Sequence, residues 1–320
     1  MAVGLPSAIM TSPPTTVPAD TGGCAANLAV ASRSIAIVVP VYRSEPNALE
    51  VIALSQCCKL LGKHPIVFVC GDSFEIAPYV AACRQHGIEP SVERFESGCF
   101  ASIAGYNKLL YSRRFYERFT NYDFILIHQL DAFVFKDTLT HWCDQGYDYL
   151  GAPWFEKSDE STAADPLVPW GGNGGLSLRR VDAFLAVLTP PFPHARVRTW
   201  DNLWRKHRSR SLVEKAFRLP RLVGKYCRKS NLYGNYLANP KMYEDGFFSL
   251  VVPRVFPRFK VAPAAVGVFF AFECQPRRMF EMTASELPFG CHAWERYDIG
   301  FWRPFIESFG HVLPGERERV

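Results

Sequence analysis

No two of the ten cysteines, at 24, 57, 58, 70, 83, 99, 143, 227, 274 and 291, stand in C-x-x-C spacing, which removes the common zinc-site pattern. Several lie in apolar runs, as Cys70 does after Ile66 to Val69, and read as reduced, buried thiols of a cytosolic protein. No stretch has the length and apolarity of a membrane-spanning helix. The first residues lack the basic start and unbroken apolar core of a secretory signal. Together these absences lead us to expect a cytoplasmic enzyme acting on small or membrane-presented substrates. No G-x-G-x-x-G follows the first apolar run and no G-x-x-x-x-G-K-[ST] occurs anywhere, so dinucleotide and P-loop readings lose support. No internal repeat is visible.

What is present is ordinary in bulk and uneven in detail. The chain of 320 residues is 48% hydrophobic and 21% charged, enough for one large α/β domain or two small ones. Aromatics reach 14%, which suits a sugar- or base-stacking cleft and a core equally. The formal charge is +5, yet residues 196–229 hold twelve Lys and Arg against Asp201 and Glu214, so that segment is +10 and the remainder −5. Trp200, Trp204 and Phe217 are interleaved with those charges. Such a stretch binds an anionic membrane surface, an acidic substrate or nucleic acid, or is a solvated helical excursion.

Residues 1–33, rich in Ser, Thr, Pro, Ala and Gly, read as a disordered tail. Ile35 to Val41 reads as a buried strand, 47–61 as a helix closed by Gly62, and 65–70 as a second strand. A helix over 74–87, a weaker strand over 91–95 and a long aromatic helix over 100–119 follow, before the apolar run Phe124 to Ile127. Strands alternating with helices predict a doubly wound, mostly parallel sheet, which holds ligands at the carboxyl ends of its strands. Later, 148–154 begins as a short strand, 181–188 is a helix, and 261–272 reads as one or two strands.

Gln129 and Asp131 interrupt the central run two residues apart, so on a strand both project to one side. A carboxylate there suits Mn²⁺ or Mg²⁺, which takes one or two protein carboxylates and fills its shell with phosphate and water. The competing reading is an Asp that merely turns the strand end. Trp170 followed by Gly171, Gly172, Asn173, Gly174 and Gly175 reads as a cleft wall or as a plain hairpin or helix entry. Glu244 and Asp245 precede an apolar helical run, as dipole-stabilised carboxylates or as a general base aimed into a cleft. His292 and Trp294 sit in a Gly-flanked loop, where a site and a structural role weigh about equally.

The segments 129–135, 149–154, 172–179, 244–248 and 288–294, in this order, resemble GT-A-fold glycosyltransferases. More closely they resemble a bacterial family of uncharacterised domains of the domain-of-unknown-function 5672 type, across roughly residues 35–302. The resemblance implies an α/β, GT-A-like (nucleotide-diphospho-sugar transferase) fold with a mostly parallel central sheet flanked by helices. It implies one domain over 34–302, divided into a nucleotide-binding half (34–150) and an acceptor half (151–302) carrying the basic insertion 196–229, with a C-terminal tail at 303–320. The implied activity is metal-dependent, hexosyltransferase-like transfer from a nucleotide-sugar to a glycan or lipid-linked acceptor in bacterial surface polysaccharide synthesis.

By the same resemblance Pro40, Tyr42, Asp72, Asn107, Lys108, Gln129 and Asp131 would bind the donor. Asp131 and His292 would hold Mn²⁺ or Mg²⁺, and Glu244 or Asp245 would be the base. Trp170, Gly171, Gly172, Asn173, Gly174, Gly175 and Trp294 would line the acceptor side. Gln129 stands where these enzymes carry the first acid of an Asp-x-Asp pair, which leaves Asp131 as the surer ligand. A cytoplasmic chain, reaching the inner face of the plasma membrane through 196–229 and binding no nucleic acid, is the matching expectation. The rival expectations are a non-catalytic glycan- or nucleotide-binding protein on the same fold, and a nucleotidyltransferase, which would normally carry glycine after the first strand; Val41 to Pro46 has none.

Overall fold

The computed structural model describes residues 33–156, 165–189, 194–197 and 211–315. The expected tail at 1–33 therefore lies, save for Arg33, outside the described residues, as do 198–210 of the basic segment. Two sheets organise the rest. The larger runs β3-β2-β1-β4-β7-β6, built from β1 (Ile35–Pro40), β2 (Ile66–Gly71), β3 (Ser91–Phe95), β4 (Phe124–His128), β6 (Tyr149–Gly151) and β7 (Leu176–Arg180). The first four are parallel, while β7 pairs antiparallel with both β4 and β6. The smaller sheet, in the order β5-β9-β8, consists of β5 (Phe133–Val134), β9 (Gly290–Cys291) and β8 (Ala271–Phe272). The fold is thus α/β, with a mostly parallel central sheet flanked by helices.

Pleating explains why the central strands are apolar throughout. Ile35, Ile37 and Val39 of β1 pack in one core cluster, with Leu54 and Leu61 of α1 (Ala48–Leu61) and Tyr79 of α2 (Ala77–Arg84). Ala36 and Val38 face the opposite cluster, which holds Leu109 and Leu110 of α3 (Ile103–Leu110), Phe115 and Tyr116 of α4 (Arg113–Glu117) and Phe184 of α5 (Val181–Leu188). A third cluster, around Phe133, Trp294 and Trp302, covers the small sheet. Asn47 starts α1 with a capping box, accepting from the amides of Leu49 and Glu50 while Glu50 accepts from the Asn47 amide.

The expectations depart from the structure in four places. The long helix over 100–119 is two helices, broken at Tyr111 and Ser112. Residues 261–272 form the helix Ala264–Phe270 and then β8, because an unbroken apolar run has no periodicity to tell buried helix from buried strand. Gln129 and Asp131 lie in a turn beyond β4, closed by the Ala132 amide donating to the Gln129 carbonyl at 2.9 Å. Residues 303–315 are no tail: the helix Ile299–Ser308 buries Trp302 and Ile306, and Leu313 is buried beyond it, while 316–320 lie outside the described residues. Among the described residues no helix is long and apolar enough to cross a membrane.

Candidate functional site

Strand register assembles the site. Phe133 pairs with Cys291 and Phe272 pairs with the same Cys291, so the residues just outside these short strands gather at one edge of the small sheet. Those residues are Asp131 before β5, His292 after β9 and Glu273 after β8. On the large sheet His128 pairs with Leu176, and the Gln129 amide donates to the Gly175 carbonyl at 2.9 Å. The two sheets thereby deliver Gln129, Asp131, Glu273 and His292 to one point at the carboxyl end of β4, where open α/β sheets hold ligands.

His292 is the hub. Its Nδ1 lies 3.0 Å from Glu273 Oε1, and its Nε2 lies 3.2 Å from Asp131 Oδ1 and 3.1 Å from Gln129 Oε1. Asn173 Nδ2 donates to the same Glu273 oxygen at 2.7 Å, and Asn173 Oδ1 accepts from the Gly175 amide at 2.6 Å. Burial works against the charged imidazole, but Asp131 and then Glu273 outweigh it and push the His292 pKa up to about 10. Burial likewise favours the neutral acid at Asp131, and His292 outweighs it, holding that carboxyl below its usual range. Gly175 must be glycine: a Cβ there would stand 1.9 Å from His292 Nε2.

Could this cluster hold a divalent cation? Among the described residues no group of three His, Cys, Asp or Glu side chains is disposed to do so. The third donor is instead the Gln129 amide oxygen. Neighbouring ligands on an octahedral Mg²⁺, bound at 2.0–2.1 Å, lie about 3 Å apart, and the spacings from His292 Nε2 to Asp131 and Gln129 are of that size. Glu273 on the far ring nitrogen is the outer partner that orients a ligating histidine. Once Nε2 of His292 gives up its proton, the donor set fits a hard cation whose remaining positions would go to phosphate or water.

Across from this cluster a cavity of about 120 Å³ is lined by Tyr106, Asn107, Gln129, Asn173, Gly174, Gly175, Glu244, Asp245 and His292, among others. Glu244 and Asp245 open a helical stretch that continues as a π-helix over Phe247–Val251, a widened turn that recurs at functional sites. Their roles diverge. Both Glu244 carboxylate oxygens accept from Arg179, at 2.8 and 3.0 Å, and Arg179 is fully buried between the Tyr149 and Phe184 rings. Both oxygens of that carboxylate are thus engaged by the buried guanidinium. Asp245 has no such partner: burial first, and the adjacent Glu244 second, push its pKa up to about 7. Asn107 Oδ1 accepts from the Glu244 amide at 2.6 Å, which ties the start of this stretch to α3.

The other expected residues are placed as follows. Trp294 is wholly buried against Phe133 in the third core cluster, so it cannot meet an acceptor. Lys108 lines a different cavity, with Cys99 and Arg114. Asp72 is exposed beyond β2, and its carbonyl accepts from Arg94. Pro40 ends β1, and the exposed Tyr42 just after it has its phenol pKa raised by burial and by Asp131. Gly171, at φ +106°, and Gly172 pack on Ser249 and Gly151, while Trp170 bridges to Pro263; Asn173, Gly174 and Gly175 form the cavity wall. Arg179, Glu273 and Tyr106 were not singled out in the sequence. The signal for Arg179 was a cation closing the apolar stretch Leu176 to Leu178, and for Glu273 an acid closing an apolar run.

No curated protein matches the chain. Among solved structures it is similar to the galactosyltransferase LgtC in complex with donor and acceptor sugar analogs, at 13% identity and a TM-score of 0.44, covering 89% of this chain and 99% of that one. It is similar to a glycosyltransferase involved in the glycosylation of the major capsid of PBCV-1, at 13% identity and a TM-score of 0.34, covering 86% and 98%. It is also similar to core-mannan synthase A from Aspergillus fumigatus in its Mn/GDP form, at 10% identity and a TM-score of 0.37, covering 64% and 71%. The family model described as protein of unknown function (DUF5672) matches residues 89–292, a span that contains every residue named above as lining the site cavity, and the chain belongs to that family.

Proposed function

We propose that this chain transfers a sugar from a nucleotide-sugar to a hydroxyl of a glycan or lipid-linked acceptor, as a hexosyltransferase-like step of bacterial surface polysaccharide synthesis. One observation carries the reading. Two members of a cation-compatible cluster, Gln129 and His292, and a carboxyl that titrates near neutrality (Asp245) border the same cavity at the carboxyl end of β4, with Asp131 3.2 Å from His292 behind them. Gln129, Asp131 and His292 would hold Mn²⁺ or Mg²⁺, which when bound would offset the charge developing on the leaving diphosphate. Asp245 takes the proton of the acceptor hydroxyl, and a base acting directly in this way gives inversion at the anomeric carbon. Glu244, committed to Arg179, holds the Asp245 segment in place instead of acting as the base. Pro40, the last residue of β1, and Tyr42, just past it, are the candidates for contacts to the nucleoside. The basic segment 196–229 is the proposed means of reaching an anionic membrane face; its Arg205, Lys206, Arg208 and Arg210 lie outside the described residues.

The test is a panel of nucleotide-sugars with Mn²⁺, read as slow donor hydrolysis and as binding, for the wild type and for Asp131→Asn. We expect at least one donor to be hydrolysed and the variant to lose Mn²⁺-dependent binding. The absence of both binding and hydrolysis with every donor would overturn the enzyme reading. A second reading, a non-catalytic glycan- or nucleotide-binding protein, is favoured by the neutral Gln129 and by the mutual contacts that already engage His292. Calorimetry separates the two, since metal-independent binding of a glycan alone supports the second.

A further inference from the structure

A second cavity, of about 90 Å³, lies away from the first and is bordered by Lys225, Arg228 and Lys241 together with Ser230, Asn231 and Tyr236. No acid lines it, and none of the three cations makes an ion pair among the described residues. The pocket is built rather than incidental. Asn231 is 5% exposed, and its Nδ2 donates to the Tyr226 carbonyl, which also accepts from Arg196 at 2.6 Å. The Val197 amide donates to the Asn231 carbonyl at 2.8 Å, locking one wall to the next. Tyr236 stacks on Phe247 of the π-helix at 5.2 Å, so the floor of this pocket is fastened to the helical stretch that begins with Glu244 and Asp245.

We propose that this pocket binds a phosphate group carried by the acceptor, an inference that rests on the transferase reading for the word acceptor but not for the phosphate. Three cations with serine and asparagine beside them match the charge and acceptor oxygens of a phosphate ester. Lys241 borders this pocket and Asp245 borders the first, and four residues of chain span at most about 14 Å. One acceptor molecule can therefore touch both. The source is a lipid-linked phosphate: the helix Leu212–Cys227, which supplies Lys225, also exposes Phe217 at 81%, Leu219 at 41% and Val223 at 43%.

The full chain is to be tested with inorganic phosphate by calorimetry, and with phosphatidylcholine vesicles with and without phosphatidic acid by co-sedimentation. We expect phosphate to bind, and phosphatidate vesicles to carry down the protein in competition with free phosphate. The triple variant Lys225→Ser, Arg228→Ser, Lys241→Ser should lose about fivefold in affinity per charge removed. Arg218→Ser with Arg221→Ser, on the same helix but outside the pocket, should lose far less affinity for inorganic phosphate, and Arg228→Lys should retain it. Equal losses in the two multiple variants, or no phosphate binding by the wild type, overturn the pocket. Pocket-dependent phosphate binding without vesicle binding overturns the lipid source in favour of a soluble sugar phosphate. Nucleoside diphosphate binding with Mn²⁺, measured on the same samples, should not change. Its absence throughout, with phosphate binding intact, would sink the transferase reading and leave the pocket standing.

Discussion

Asp245 and Glu244 are chemically alike and adjacent, yet the fold assigns them different work. Glu244 meets a buried guanidinium, whereas Asp245 meets burial and a neighbouring negative charge, so its pKa stands near 7 where an aspartate is ordinarily near 4. A raised carboxyl pKa means that the folded state binds the proton more tightly than the unfolded chain. The stability from that proton is complete at pH below about 4 and is lost as pH rises through about 7. Asp245→Asn should therefore raise the melting temperature more at pH 8 than at pH 5, while lowering kcat by about 10²–10⁴ and sparing donor binding. Wild-type kcat should rise with pH through about 7, and a flat profile would place the base elsewhere. Glu244→Gln has another signature, since it strands Arg179 in the core and should cost about 3–5 kcal/mol of stability, measurable by urea melts. Asp131→Asn, at the edge of the cluster, should leave the fold intact and remove Mn²⁺-dependent donor binding.

At the scale of elements the glycine loop shows why the sequence was legible in some places and opaque in others. Gly174 and Gly175 are pressed against Glu244 and His292, residues tens of positions away, and this is why side chains are excluded there. Gly175→Ala should displace His292 from Asp131 and cost about 1–3 kcal/mol through overpacking, with metal-dependent donor binding lost; retained binding would show that the loop yields. The glycine run pointed to close approach without saying to what. The strand Ser91–Phe95 and the helix Val181–Leu188 stand where composition placed them, because local propensity and burial agree there. The two-residue strands of the small sheet have no local signature, being held by pairing between residues 133, 272 and 291. Asp131 and His292 were thus named as a pair by resemblance, while Glu273, which orients the histidine, was hidden behind an apolar run that turned out to be mostly helix. Trp294 was misassigned because an aromatic beside glycine and histidine looks the same in a cleft and in a core.

For the molecule as a whole, the consequence lies at the carboxyl end. A domain ending at 302 would leave the third core cluster open. Ile306 is fully buried, Leu313 is 4% exposed, and the Phe309 ring stands 6.0 Å from Phe133 and 6.2 Å from Phe135. His311 Nε2 lies 2.9 Å from Gln56 Oε1, and Gln56 Nε2 donates to the Val134 carbonyl, so this segment reaches β5 through one buried glutamine. Truncating a single buried aliphatic costs about 2–5 kcal/mol, a large share of the 5–15 kcal/mol that holds a typical domain together. A chain stopped after Trp302 should therefore lose cooperative thermal unfolding or be recovered insoluble. The milder Ile306→Ala and Leu313→Ala should each lower the melting temperature. Asp131, Glu273 and His292 sit at the edge of the sheet that this segment covers, so the point variants should also weaken Mn²⁺-dependent donor binding. If they melt earlier but bind as the wild type does, the cluster is held by the large sheet alone, and the small sheet is cover rather than scaffold.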